Sequence, residues 1–188
     1  MEILIVLGIF FLILFAIAAF FIGDYNNLVS LRNKVENAWS QIDVQLKRRH
    51  DLIPNLIETV KGYMNHERET LEAVIKARQQ AVNISGDFAN KAQIENMLSQ
   101  TLKSLFAVSE RYPDLKANQN FLSLKEELVS TENKISFARQ FFNDTVLKLN
   151  NKVEMFPSNL IAKMFSFDKK EFFEIDEPKE REVPKVQF

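Results

Sequence analysis

The stretch "AWSQIDVQLKRRHDLIPNLIETVKGYMNHE", residues 38–67, decides how the helices of this chain are divided. Its apolar positions keep a helical beat, yet Gln45, Arg48, Arg49, His50 and Asp51 crowd the middle and Pro54 follows directly. Helix-end chemistry accounts for the cluster as a junction. Asp51 can cap a following helix by accepting from backbone N–H groups two or three residues on. Pro54 then falls in a first turn, where its missing donor costs little. Lys47, Arg48 and Arg49 would close the preceding helix and complement its negative end. The competing geometry is one continuous helix kinked at Pro54. A third reading makes the cluster a binding patch for a ligand, an acidic partner or lipid phosphate. A hairpin opposes the lipid version, since at 1.5 Å per residue the first helix carries the junction roughly 40 Å from its membrane end.

On the N-terminal side lies "ILIVLGIFFLILFAIAAFFI", Ile3 to Ile22, without a charge or strong polar group. About twenty apolar residues cross a hydrocarbon core of roughly 30 Å. Ala16-Ile17-Ala18 resembles the cleavage site of a secretory signal. No Lys or Arg precedes the run, however, and it exceeds the length of a signal core. Residues 1–23 are therefore expected to be a retained anchor, marked by Ile3, Leu7, Phe10, Leu14, Phe21 and Ile22. Glu2 precedes it, and Arg32 and Lys34 follow within the window that sets orientation. This predicts a short outside N-terminus and a cytoplasmic body.

Past the anchor the chain is long enough for one core. With 24 Lys and Arg against 25 Asp and Glu, no general basic field recruits nucleic acid. The absence of cysteine excludes disulfides and thiolate metal sites. Only four Gly and five Pro punctuate the chain, which points to long helices.

Tyr25, Leu28, Val35, Trp39, Ile42 and Leu46 share one helical face. Leu56, Val60, Tyr63, Glu67, Leu71, Val74, Arg78 and Ala81 form another, ending at Ser85-Gly86-Asp87, a stop followed by a fresh cap. Ile94, Leu98, Leu102, Leu105, Val108 and Tyr112 mark a third helix closed by Pro113. Asn118 caps the fourth and longest, carrying Phe121, Leu128, Ile135, Phe142, Val146 and Leu149 towards Pro157. The expected fold is all-α: a single transmembrane helix, then an antiparallel bundle of four long helices over residues 24–157. Residues 158–175 form a short helix and a Phe-rich segment, and 176–188 a flexible charged tail. Phe156, Phe165, Phe167, Phe172 and Phe173 are the candidate interaction segment. They either pack over the open end of the bundle, dock on a neighbouring subunit or lie in the membrane interface.

Two long blocks, "YNNLVSLRNKVENAWSQIDVQLKRRHDLIPNLIETVKGYMNHE" and "NQNFLSLKEELVSTENKISFARQFFNDTVLKLN", followed by "FPSNLIAKMFSF", resemble the bacterial LemA family. The resemblance runs from Tyr25 to about Glu174. It implies one anchor followed by an antiparallel helical domain, in a bacterial inner membrane. One branch of the family is associated with magnetosome membranes. It implies no catalytic residues.

The residues point the same way. Three positions before His50 stands Lys47, and before His66 stands Tyr63, so neither makes the Glu-x-x-His pair of di-iron bundles. "HERET", His66 to Thr70, lacks the second histidine of H-E-x-x-H. Phosphate-cradling loops and nucleophile elbows are also missing. The expectation is no cofactor, metal, nucleic acid or small-molecule substrate. It is instead a non-enzymatic, membrane-anchored scaffold that forms a homo-oligomer. The alternative is a monomeric adaptor presenting its helices to an envelope protein, protease or transporter. An enzyme would rest on Glu127 or Glu132 with a histidine. Polar residues of the long helix, Glu132 and Arg139 among them, can also form a buried layer that sets helix register.

Overall fold

Leu46, Arg49, Ile53, Leu56 and Val60 follow one another at steps of three and four, so a single helical face runs straight across the charged cluster. A computed structural model of the chain describes residues 1–64, 66–84, 86 and 88–173. In it α1 spans Glu2–Lys61 without interruption, with Pro54 inside the helix. The junction expected at Arg48, Arg49, His50, Asp51 and Pro54 is therefore corrected to helix interior. Asp51 is exposed on the helix and does not cap it.

Proline normally breaks a helix because it cannot donate to the carbonyl four residues back. Here that carbonyl belongs to His50, and Arg78 Nε of α2 (Arg68–Asn83) donates to it at 2.7 Å. The lost backbone donor is replaced by a side chain from the next helix. The helix ends later, at Lys61, after which the Tyr63 and Met64 N–H groups both donate to the Val60 carbonyl at 3.0 Å. Tyr63 and Glu67 thus lie between α1 and α2 rather than on a continuous second helix.

The remaining helices follow their punctuation. α3 is Phe88–Ser109, α4 is the short Pro113–Ala117, α5 is Gln119–Glu154 and α6 is Ser158–Met164. Pro113 begins α4 at a position where a missing N–H costs nothing. Asn118 Oδ1 accepts from Phe121 N–H at 3.0 Å, the expected cap of α5. Ser85 and Asp87, the expected stop and cap, lie outside the described residues, as does the charged tail 176–188. No strand occurs among the described residues.

The chain divides into two compact units, Met1–Ser40 with Gln140–Lys170, and Gln41–Arg139 with Glu171–Phe188. In the first, Asp24 pairs with Lys152 at 2.7 Å and Trp39 meets Phe142 edge-on with ring centroids 5.5 Å apart. The early residue of α1 meets the late residue of α5, so these segments run antiparallel. Leu28, Val35, Phe142, Val146 and Leu149 are buried there, with Ile161 and Ala162 of α6. Just past α6, Ser166 adopts φ 56°, and Phe167 N–H returns to the Ala162 carbonyl at 2.9 Å. That left-handed cap turns Phe167 inward.

In the second unit one apolar cluster joins Ile53, Leu56 and Val60 of α1 to Leu71 and Val74 of α2. Leu98, Leu102 and Leu105 of α3, Leu115 of α4, and Phe121 and Leu128 of α5 complete it. Before these buried stripes, α1 carries one segment long and apolar enough to cross a membrane, none of it buried. Ile3, Leu7, Phe10, Leu14, Phe21 and Ile22 are all exposed on it.

The His50 carbonyl supplies a test. Arg78→Met should cost about 1 kcal/mol in denaturant melts of the detergent-solubilised protein, the net worth of the hydrogen bond. In the Pro54→Ala background residue 54 supplies its own N–H, so the same change should cost clearly less. Equal costs in both backgrounds would show that Arg78 does not stand in for the proline.

Candidate functional site

Arg49 occupies a core position of α1, in phase with Leu46 and Ile53, and only 1% of it is exposed. An ion so placed must be met by opposite charge and hydrogen-bond acceptors. Its Nη2 pairs with Glu95 Oε2 of α3 and also donates to the Glu95 carbonyl at 3.4 Å. Its Nη1 donates to Glu132 Oε2 of α5 at 2.6 Å and to Ser99 Oγ at 2.7 Å. Ser99 Oγ donates in turn to Glu132 Oε1 at 3.1 Å. Four of the five guanidinium donors are satisfied, and the buried Nε has no acceptor.

The layer extends through the next residue. His50 Nε2 lies 2.9 Å from Glu95 Oε1, so Glu95 faces Arg49 with one oxygen and His50 with the other. Burial pushes the Glu95 carboxyl up, but the hydrogen bond from His50, the nearby Arg49 and His50 charges and the Arg49 hydrogen bond outweigh it. The net result is a carboxyl held below its ordinary value. Through the His50 carbonyl and Arg78 the layer also reaches α2. Outside it, Arg48 meets Glu127 at 3.4 Å, both half-exposed, a contact worth little.

Two cavities adjoin these groups within the same unit. One, of about 420 Å³, is bordered by Asp43, Lys47, His50, Arg78, Lys91 and Glu95, with charges of both signs. The other, of about 220 Å³, is mainly apolar, with Leu102, Phe106, Leu128 and Val129 beside Arg49 and Glu132.

Of the stretch singled out from the sequence, Arg49 and His50 enter the layer, while Arg48, Asp51 and Pro54 stay at the surface of α1. The candidate enzyme pairing is not assembled. Glu132 is held by Arg49 and Ser99, Glu127 meets Arg48, and His50 takes Glu95 instead. Among the described residues no group of three or more His, Cys, Asp or Glu could hold a metal ion. Glu95 was missed in the sequence, although a signal exists: it falls in phase with Ala92, Leu98, Leu102 and Leu105 on the buried stripe of α3. The phenylalanines separate. Phe156 and Phe165 are exposed, Phe172 is partly buried, and Phe167 and Phe173 are buried. The Phe173 ring lies 4.2 Å from the Arg139 guanidinium carbon.

Removing Arg49 leaves Glu95 charged and buried, so Arg49→Met should cost about 3–5 kcal/mol in denaturant melts. A cost near zero would mean that water already solvates the layer. The depressed Glu95 carboxyl stabilises the fold above its ordinary value of 4.5, and that contribution is lost as pH falls through the lower, folded value. Melting temperature should therefore drop in acid below the ordinary carboxylate range. In Glu95→Gln that part of the pH dependence should vanish; an unchanged acid limb would place its origin elsewhere.

The layer lies wholly within residues 38–188, the part of the chain matched by the model of the LemA family. Protein LemA of Metamycoplasma hominis is 28% identical over 155 residues, covering 82% of this chain and 71% of the relative. Magnetosome protein MamQ of Magnetospirillum gryphiswaldense is 20% identical over 174 residues, covering 79% and 64%. Magnetosome protein MamQ 2 of Paramagnetospirillum magneticum is 20% identical over 175 residues, covering 80% and 64%. The chain thus spans a little under two thirds of the length of the magnetosome relatives. None of these names carries an enzymatic activity. With most of its length matched, the chain belongs to the LemA family.

Proposed function

We propose that this protein is a non-enzymatic helical scaffold, anchored through α1 and self-assembling on the membrane surface. In this reading residues 24–157 form an antiparallel bundle of four long helices. The observation that carries the proposal is on α5. Phe121, Leu128 and Ile135 are buried, while Leu122, Val129 and Phe137, at steps of seven and eight, remain exposed along another side of the helix. Phe137 is 74% exposed. This exposed apolar row is the surface on which the proposed association would take place. The strongest polar cluster is turned inward and spends its charges on itself, which supports an assembly role over a reaction centre. Tethering many copies to one surface raises their effective concentration, so weak lateral contacts suffice.

In this reading the body lies on the cytoplasmic side of a bacterial inner membrane. Arg32 and Lys34 after the span, against Glu2 before it, support that orientation.

Light-scattering mass of the full-length protein in mild detergent tests the proposal. Several copies per particle are expected, and Val129→Lys with Phe137→Lys should return single copies with an unchanged melting temperature. Single copies of the unaltered protein at every concentration would overturn self-assembly. Crosslinking of the α5 row to one other membrane protein would then favour the adaptor role.

A further inference from the structure

The apolar span of α1 ends at Ile22, and the next turn of the helix holds the first unit together. Asp24 pairs with Lys152 near the end of α5. The Tyr25 ring lies 4.7 Å from that of Phe165 and 6.0 Å from that of Phe167, centroid to centroid. These contacts fix α6 and its flanks beside the end of the apolar run.

α6 is apolar on two sides. Ile161 and Ala162 face inward and are buried. Leu160 and Met164, four residues apart on one face, point away from them and are 54% and 66% exposed. Phe156 before the helix is 78% exposed and Phe165 after it 51%. Water is a poor neighbour for four such side chains on one short segment.

We propose that α6 and its flanking phenylalanines form a second membrane contact, lying in the headgroup–acyl boundary of the bilayer that α1 crosses. Continuity with the span argues for lipid as the occupant. The exposed apolar surface of residues 3–22 passes within one helical turn to Tyr25, and from Tyr25 by ring contact to Phe165. Tyrosine concentrates at that depth of a membrane, and Phe and Leu form the buried face of interfacial helices. Lys163, exposed between Leu160 and Met164, can bury its stem and keep its ammonium among phosphates. The contact would stop the first unit from swinging about the end of the span, giving the anchored protein a defined tilt. It rests on the reading of Ile3–Ile22 as a membrane span.

The chain has no cysteine, so single labels are unambiguous. Full-length protein carrying Leu160→Cys or Met164→Cys, labelled with an environment-sensitive fluorophore, is placed in vesicles of phosphatidylcholine and phosphatidylglycerol. The vesicles include lipid spin-labelled at a shallow acyl position. Phe10→Cys reports the span, and Ser40→Cys, exposed on α1, reports water. The expected result is a blue shift and loss of emission at 160 and 164, and no loss at 40. Quenching at 10 without quenching at 160 and 164 would overturn the second contact while leaving the span intact. Emission unquenched at 10 as well would remove the span and the inference with it. Label-to-label quenching between copies at 160, without quenching by lipid, would give this face to a second copy and overturn the lipid assignment.

Discussion

The burial of Arg49 constrains the second unit more than any other single group. An arginine cannot give up its charge, and taking it out of water costs several kcal/mol unless carboxylates meet it with good geometry. Glu95 from α3 and Glu132 from α5 do so, with Ser99 bridging Arg49 and Glu132. Apolar stripes tolerate a slip of one helical turn, because leucine and isoleucine repeat at every step of three or four. A planar fork of donors does not. Sliding α3 or α5 by one turn past α1 would leave a buried charge without its partner. Such a layer discriminates against slipped registers whatever its net contribution to stability.

Pro54 and the layer depend on one another through His50. The proline strips the His50 carbonyl of its helical donor, and Arg78 fills the vacancy from α2. The His50 ring meanwhile meets the outer oxygen of Glu95. One residue of α1 therefore takes a side-chain contact from α2 and another from α3. Chemistry that ends helices elsewhere is used here to hold neighbouring helices to the interior of a continuous one.

This explains which parts of the fold were legible in the sequence. The long apolar N-terminal helix, the helical stripes and the Asn118 cap follow from local patterns that need no partner. The division of α1 from α2 did not, because Arg48 to Pro54 carries strong end signals and Gly62 to Glu67 weak ones. The decisive evidence was the phase. Arg49 stands where Leu46 and Ile53 require a core residue, and Glu95 stands likewise among Ala92, Leu98 and Leu102. A charge in phase with a buried stripe calls for an opposite charge in phase on another helix. That pairing could have been sought from Arg49 outward. The donor to the His50 carbonyl could not, since Arg78 looks like any surface arginine until α2 is folded back.

The protein also distributes polarity in an unusual direction. Charged groups that a surface would solvate freely are drawn into the second unit, while Leu122, Val129 and Phe137 of α5 stay outside. In the first unit the outward face of α6 is as apolar as its inward one. Local packing does not require either feature, because the cores of both units close without them. Each costs solubility unless another surface covers it. In the proposed scaffold role the chain would meet two such surfaces continuously, its own bilayer and its neighbours on that bilayer. In two dimensions a contact needs little intrinsic affinity to be occupied. In the proposed scaffold role, modest apolar patches on these helices would then suffice for association, where a freely diffusing protein would need a far larger interface.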